Sequence, residues 1–590
     1  MLKIHQFGKA FSKQSVSCPL VRHLHFEPLE DRRLLANVTV SNLNDVVNGT
    51  TSSIANLIAN NGGDGISLRE AILAANADNT DPADTINFAP SVTGTIQLTN
   101  VGHAGEIVIN SNLTINGPGA ELLTIRAFAG TTALGDGARI FNIQIPILTR
   151  NVAINGLTLT GGDVGSTYGG GAILSFENLT ITGSTISGNS ASDSGGGITN
   201  RGGSLSIVGS TISGNSSNNL GGGVYSNLGS FNISQSTVSG NTANLSSGGG
   251  IFIRSSTSTI DSSTISVNSA GGAGGIGIEH TGPSTNTTLT NSTISGNSAS
   301  GSGGGVAALS GTVNVRHSTI TANRADSDSN ATGSGGGVSG NVTIDHTIVA
   351  GNLRSTSNRD DISGSITARY SLIGDNTGAT ITNNGGNQIG TSAAQVDARL
   401  FVLRDNGGPS PTHSFLAGSP AIDTGDPAFS PPPTNDQRGT TFGRVADGNG
   451  IGGARIDIGA YEQQNTTPVS FVVDTLVDED DDNFAPGDLS LREAIALANT
   501  ALGADTISFS SALTSGGPAS INLTILGHLA ITDSLTIEGP DANLLTIRGF
   551  DPDGGGTNDG DGSRVLNIDD GNPATLIDVE IVGLTLRGGD

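Results

Sequence analysis

Between residues 169 and 376, apolar residues alternate with Ser, Thr and Asn in short runs such as Leu205-Ser206-Ile207, broken at Gly209-Ser210 before Ile212. A period of two puts alternate side chains on one side, which predicts short β-strands with one buried face. No stretch of this region has helical spacing. The unit Ser-Thr-Ile-Ser-Gly-Asn recurs at Ser184, Ser210, Ser236, Ser263, Ser292 and Ser318, and in looser form at Thr347 and Ser371, so the period is near 26 residues. Gly-rich steps ending in an aliphatic residue precede each unit, as at Gly169–Ile173, Gly195–Ile198 and Gly221–Val224. Each repeat thus reads as two or three strands joined by Gly and Asn turns, too small to bury a core alone. Stacking the repeats supplies one. The predicted fold is all-β, a right-handed parallel β-helix solenoid with a short N-terminal capping helix, followed by the start of a second β-helix module.

The Asn closing each unit (Asn189, Asn215, Asn241, Asn268, Asn297, Asn323, Asn352 and Asn376) falls at the same place in every coil. An amide both donates and accepts, so a column of them at one corner can form a structural ladder that satisfies turn backbone groups. The alternative is a carbohydrate-binding row.

A solenoid end exposes unpaired strand edges, so caps are required. Ser67-Leu68-Arg69-Glu70 is a capping box, and Ala71–Asn76 continues it as a short amphipathic helix. The same unit restarts at Ser490-Leu491-Arg492-Glu493, with Asp505–Phe509 matching Asp84–Phe88. Five segments follow: a basic targeting-like arm (1–36), the N-terminal cap and first coils (37–162), the repeats (163–395), a C-terminal capping, anchor-like segment (396–464), and an incomplete second module (465–590). Gly583–Asp590 matches Gly156–Asp163, where the first module begins its repeats, so residues 465–590 alone are expected to expose an open edge and self-associate.

Several motifs carry resemblances. Gly170-Gly171-Ala172-Ile173 with Ile186-x-x-Asn189 resembles the repeats of chlamydial polymorphic outer-membrane proteins, with Ile or Val in place of Phe. That resemblance implies a β-helical adhesive passenger. The Ser-Leu-Arg-Glu-Ala stretches resemble the Cys-Ser-Leu-Arg-Glu-Ala family of bacterial surface proteins, with Ile66 in place of Cys. Residues 405–462, through Asp405-Asn406-Gly407-Gly408-Pro409, Gly418–Gly425, Asp436–Gly439 and Asp457–Glu462, resemble the choice-of-anchor domain. The resemblance implies display at the cell surface and brings no catalytic residue; His413 and Asp423 there read as turn and packing residues. Leu29-Glu30-Asp31-Arg32-Arg33-Leu34-Leu35 resembles the Leu-Glu-Pro-Arg-x-Leu-Leu segment of planctomycete surface proteins, with Asp31 in place of Pro, and implies an export or sorting address.

Composition narrows the functional classes. With 88 Gly, 4% aromatic residues and no Trp, the chain has many thin layers rather than one bulky core. All three lysines lie in the first 13 residues and no acid precedes Glu27, while the whole chain carries a formal charge of −26. The acidic body repels nucleic acid and anionic membranes. Cys18 is the only cysteine, so the body holds no disulfide, and no apolar run is long enough for a transmembrane helix.

Charged clusters are few. Arg359-Asp360-Asp361, with Asp345, His346 and Arg369 one coil away, is the densest candidate for chemistry, yet a glycosidase needs two suitably spaced carboxylates and a lyase a base with charge-stabilising groups. No residue is therefore assigned as catalytic. Asp478, Asp480 and Asp482 supply hard oxygen ligands of the type Ca²⁺ prefers, and Asp551–Asp561 is a second acidic run, but the Gly and distal Glu of a calcium loop do not follow and a solvated acidic linker is the alternative. The reading is a non-enzymatic secreted or cell-surface protein, outer-membrane associated, with an adhesive or structural role. Its partners would be surface polysaccharide or other surface proteins. A polysaccharide lyase or hydrolase is the alternative.

Overall fold

The computed structural model describes residues 36–588 apart from 79–83, 101–104, 129–134, 145–148, 166–167, 255–256, 283–285, 417, 449–452, 465–468, 502–504, 526, 552–561 and 570–576. The basic arm with its sorting-like motif and nearly all of the Asp551–Asp561 run lie outside the described residues.

Alternation along the chain becomes stacking across it. A typical coil runs through strands Ile198–Asn200, Leu205–Val208, Thr211–Ser213 and Ser216–Ser217, and the next repeats it at Val224–Asn227, Ser230–Ser234, Thr237–Ser239 and Thr242–Ala243. Coils pair in parallel, forming 20-stranded, 12-stranded and 9-stranded sheets in the first module. Twelve strands about 4.8 Å apart give a rod of roughly 53 Å. The chain is thus a parallel β-helix.

Register places like on like: Ile186, Ile212, Val238, Ile265, Ile294 and Ile320 are successive partners, all fully buried. One core runs from Val38 to Ile373, and a separate core in the second module runs from Val473 to Val565. Parallel strands here need tight corners, and one of them uses the left-handed backbone region. The residue before each repeat Asn has φ of 62° at Gly188, 60° at Gly214 and 62° at Gly240, but Val267 occupies the same place at 55°. A β-branched residue is strained there. Val267 is largely exposed and packs on little. Val267→Gly is therefore expected to stabilise the rod by about 0.5–1 kcal/mol, the relief of strain less the entropy of glycine. Denaturant melting checks it, and a loss of stability would show that Val267 is not strained.

Three helices serve the two N-terminal ends: α1 (Ile54–Ala59), α2 (Leu68–Asp78) and α3 (Leu491–Ala498). Helix α2 buries Leu68, Ala71, Ile72, Ala74 and Ala75 over the first coils, and α3 does the same in the second module. Every residue of Ser-Leu-Arg-Glu has a task. Ser67 Oγ accepts from Glu70 N while Ser67 N donates to Glu70 Oε2, and Ser490 with Glu493 repeats this box. Arg69 forks onto buried Asp45 at 2.7 and 2.9 Å, and Arg492 onto Asp478 at 2.8 and 3.0 Å. The remaining oxygen of Glu70 accepts from Asn48 N and Gly49 N, as that of Glu493 accepts from Asp481 N. The motif is a clamp that fastens the incoming loop to the capping helix.

Candidate functional site

Seven of the eight repeat asparagines, Asn189 to Asn352, form one buried column. In the first six, Nδ2 donates at 2.9 Å to the Asn Oδ1 of the next coil, and the backbone N–H donates to the same oxygen at 2.9–3.1 Å. The second amide hydrogen goes to a strand carbonyl of the preceding coil, as from Asn241 to Ile212 O. These amides are used up internally and face no solvent, so they offer nothing to a carbohydrate. Asn376 is not a rung. Its N–H donates to Gly390 O, because the antiparallel hairpin pairing Leu353–Arg354 with Asn358–Arg359 breaks the repeat. Asp361 ends the column instead, its Oδ1 accepting from Asn352 N at 2.7 Å and Nδ2 at 2.8 Å.

The other oxygen of Asp361 is buried without a hydrogen-bond partner and borders a cavity of about 180 Å³ shared with Arg359, Gln395 and Asp397. Burial pushes the carboxyl up to about 7, against the lowering effect of the Asn352 hydrogen bonds, of Arg359 and of the nearby Asp375 N–H, which lies outside good hydrogen-bond geometry. Asp345, His346 and Arg369 do not join it. They belong to a different corner, where His317, His346 and Tyr370 stack at centroid distances of 4.9 and 5.4 Å. His346 Nδ1 faces Asp345 Oδ1 at 2.8 Å and its Nε2 accepts from Asp426 N at 3.0 Å, so both ring nitrogens are occupied. Arg369 reaches both Asp345 and Asp426.

Asp426 belongs to residues 396–464, which turn back and lie along the side of the 12-stranded sheet rather than across its end. Gln437 bridges two coils, accepting from Thr293 Oγ1 at 2.6 Å and donating to Thr264 Oγ1 at 2.9 Å. His413 takes Phe401 O with Nδ1 and Ser295 Oγ with Nε2, while Asp423 N donates to Asp457 Oδ1. Both hold the segment in place. Inside it, burial pushes the neighbouring carboxyls of Asp457 and Glu462 up, Asp457 to about 8, despite the Arg444 guanidinium.

These raised carboxyls carry a pH dependence of known sign. Asp361 and Asp457 hold protons in the folded chain that the unfolded chain has already released, so their stabilising effect is complete below the ordinary Asp value and is lost as pH rises through 7 and 8. Buried His317 is pushed down and acts oppositely, costing stability only below its ordinary value of 6.5. From pH 6.5 to 8.5 the carboxyls act alone, and stability is expected to fall on the order of 2 kcal/mol. A melting temperature that is flat or rising over this range would show that these carboxyls are ionised when buried.

What remains accessible is the outer face of the 20-stranded sheet. Its central outward row runs Thr180, Ser206, Asn232, Thr259, Thr288, Asn314, Thr343, Thr367 through successive coils. All are half-buried or exposed, and none is charged. A flat sheet thus presents hydroxyl and amide groups about 4.8 Å apart between coils.

The structure places Asp478, Asp480 and Asp482 in three different surroundings. Asp478 is buried in its fork with Arg492 and also accepts from Thr524 N, Asp480 is exposed, and Asp482 pairs with Arg404 at 2.8 Å. The three carboxylates do not converge, and among the described residues no three His, Cys, Asp or Glu side chains are grouped to hold a metal. Asp478 is the counterpart of Asp45, a clamp residue. Sequence reading missed this pairing; its signal was an arginine repeated at the same position of both capping helices, next to a glutamate already committed to the capping box. No described helix is long and apolar enough to cross a membrane.

No protein-family model matches the chain and no curated protein is similar to it. Among solved structures, the pectate lyase Pel9A is 13% identical, over 73% of this chain and 98% of that one, with a TM-score of 0.35. A mutant of the alginate lyase AlyGC is 10% identical, over 86% and 69%, with a TM-score of 0.19. At these values neither likeness bears on activity.

Proposed function

We propose that this chain is a non-enzymatic extracellular or cell-surface β-helix that adheres to neutral polysaccharide through the outer face of its 20-stranded sheet. The observation that carries the reading is the uncharged row from Thr180 to Thr367, which spans eight coils on a chain of formal charge −26. Sugar hydroxyls donate and accept, and so do Thr, Ser and Asn side chains. A flat repeating face meets a repeating polymer at many weak points, and their sum gives useful avidity. Depletion from solution by insoluble neutral polysaccharides tests the reading. The triple variant Thr180→Glu, Asn232→Glu, Thr259→Glu is expected to bind at least tenfold more weakly while melting like the parent. Failure of the parent to be depleted by any polysaccharide would overturn the proposal.

One observation favours the alternative of a polysaccharide lyase or hydrolase: Asp361 has a carboxyl raised to about 7, the range suited to a general base, beside Arg359. Release of unsaturated or reducing ends by the parent, abolished in Asp361→Asn, would replace adhesion with catalysis.

A further inference from the structure

The Asp361 cavity is not explained by the Asn column that it terminates. Asp361 is 1% exposed, and one carboxylate oxygen completes the column while the other, Oδ2, has no hydrogen-bond partner. A buried carboxylate oxygen ordinarily takes a hydrogen bond, so one that the protein's own donors leave open on a cavity wall invites a partner. Oδ2 borders the cavity, and no side chain blocks it on one wall because residue 374 is glycine: a Cβ there would stand 2.4 Å from Oδ2. The lining also includes Arg359, the exposed Asp397 and Gln395, whose amide donates to Asp375 Oδ2 at 3.1 Å.

The lining selects the chemistry of an occupant. An anion would meet Asp361 and Asp397, and a cation would meet Arg359. A neutral polyol suits both, because a hydroxyl can donate to a carboxylate while its neighbour accepts from a guanidinium. At about 180 Å³ the space is smaller than a drug-sized pocket, so it takes a single small unit. We infer that this cavity is a subsite for one neutral sugar ring, whose adjacent hydroxyls donate to Asp361 Oδ2 and accept from Arg359. The inference rests on the polysaccharide-binding reading and adds to it a site on a different corner of the rod.

Two variants test it on the full chain. Asp361→Asn keeps an oxygen for the two Asn352 donors but puts an NH₂ group where the sugar hydroxyl would donate. Arg359→Gln lies on an exposed side chain outside the column. Saturation-transfer NMR and titration at about pH 8.5, where the Asp361 carboxyl is ionised and Oδ2 is an acceptor, with glucose, galactose, mannose and N-acetylglucosamine are expected to show millimolar binding of at least one sugar by the parent. Binding should be at least tenfold weaker for both variants, and for glucuronate and glucosamine. Thermal melting reports whether each variant folds. Absence of neutral-sugar binding by the parent, or binding by folded Arg359→Gln equal to the parent, overturns the subsite. Polysaccharide depletion read on the same proteins separates the two ideas: depletion that persists in the parent without monosaccharide binding leaves the sheet face standing and removes the subsite. Monosaccharide binding without depletion does the reverse.

Discussion

Ile212→Asp is expected to unfold the repeat region at temperatures where the parent is fully native. Ile212 is fully buried between Ile186 and Val238 in the inward row of the 12-stranded sheet. The substitution removes an aliphatic side chain worth 2–5 kcal/mol by truncation alone, and sets a carboxyl where no partner exists, for a total loss of roughly 5 kcal/mol or more. The damage is shared, because each coil touches only its two neighbours and both lose the same packing surface. Thermal melting and hydrogen exchange across residues 184–240 measure it. A variant that melts with the parent would mean that Ile212 does not face the core.

The second large effect concerns the clamp. Asp45→Ala leaves the Arg69 guanidinium buried, with only the carbonyls of Gly105 and Glu106 as acceptors. Breaking a buried pair from one side costs about 3–5 kcal/mol, whereas replacing both partners by apolar residues costs far less. Asp45→Ala should therefore strongly destabilise the first module, and the pair Asp45→Leu, Arg69→Met should recover most of the loss. Asp478→Ala should do to the second module what Asp45→Ala does to the first, since Arg492 and Thr524 N would lose the same acceptor. Chemical denaturation of the single and double variants decides it. Equal losses in Asp45→Ala and in the double variant would show that the charge pair is not what holds the loop.

The rod was legible because a solenoid writes its contacts at a fixed interval. Ile212, Val238 and Ile265 sit 26 and 27 residues apart and meet directly, so counting along the chain locates neighbours in space. The same logic found seven rungs of the asparagine column and failed at the eighth, where the hairpin from Leu353 to Arg359 brings Asp361 into the place that counting gives to Asn376. The segment at 396–464 was legible as a break in the repeat, but not where it lies. Gln437 meets Thr264 and Thr293 across 173 and 144 residues, and nothing in a periodic pattern announces a contact with an aperiodic partner. The partner of Asp478 was hidden for a related reason: the chain shows three alternate carboxylates in a row, and only in three dimensions does the first meet Arg492.

The asparagine column also has a direction. Every amide gives one hydrogen to the oxygen of the C-terminal coil and receives at its own oxygen from the N-terminal one, so the side-chain chain of hydrogen bonds runs one way, and hydrogen bonds in such a chain polarise one another. The accepting end is met by Gly162 N–H and the donating end by the Asp361 carboxyl. Interior rungs are interchangeable, since each offers the same acceptor above and the same donors below; the two ends are not. A gene that duplicates an interior repeat would thus yield a longer rod with every amide still satisfied, while one that lost the segment around Asp361 would leave the last rung's hydrogens without a taker. Length is free to drift in such a molecule, and its termini are not.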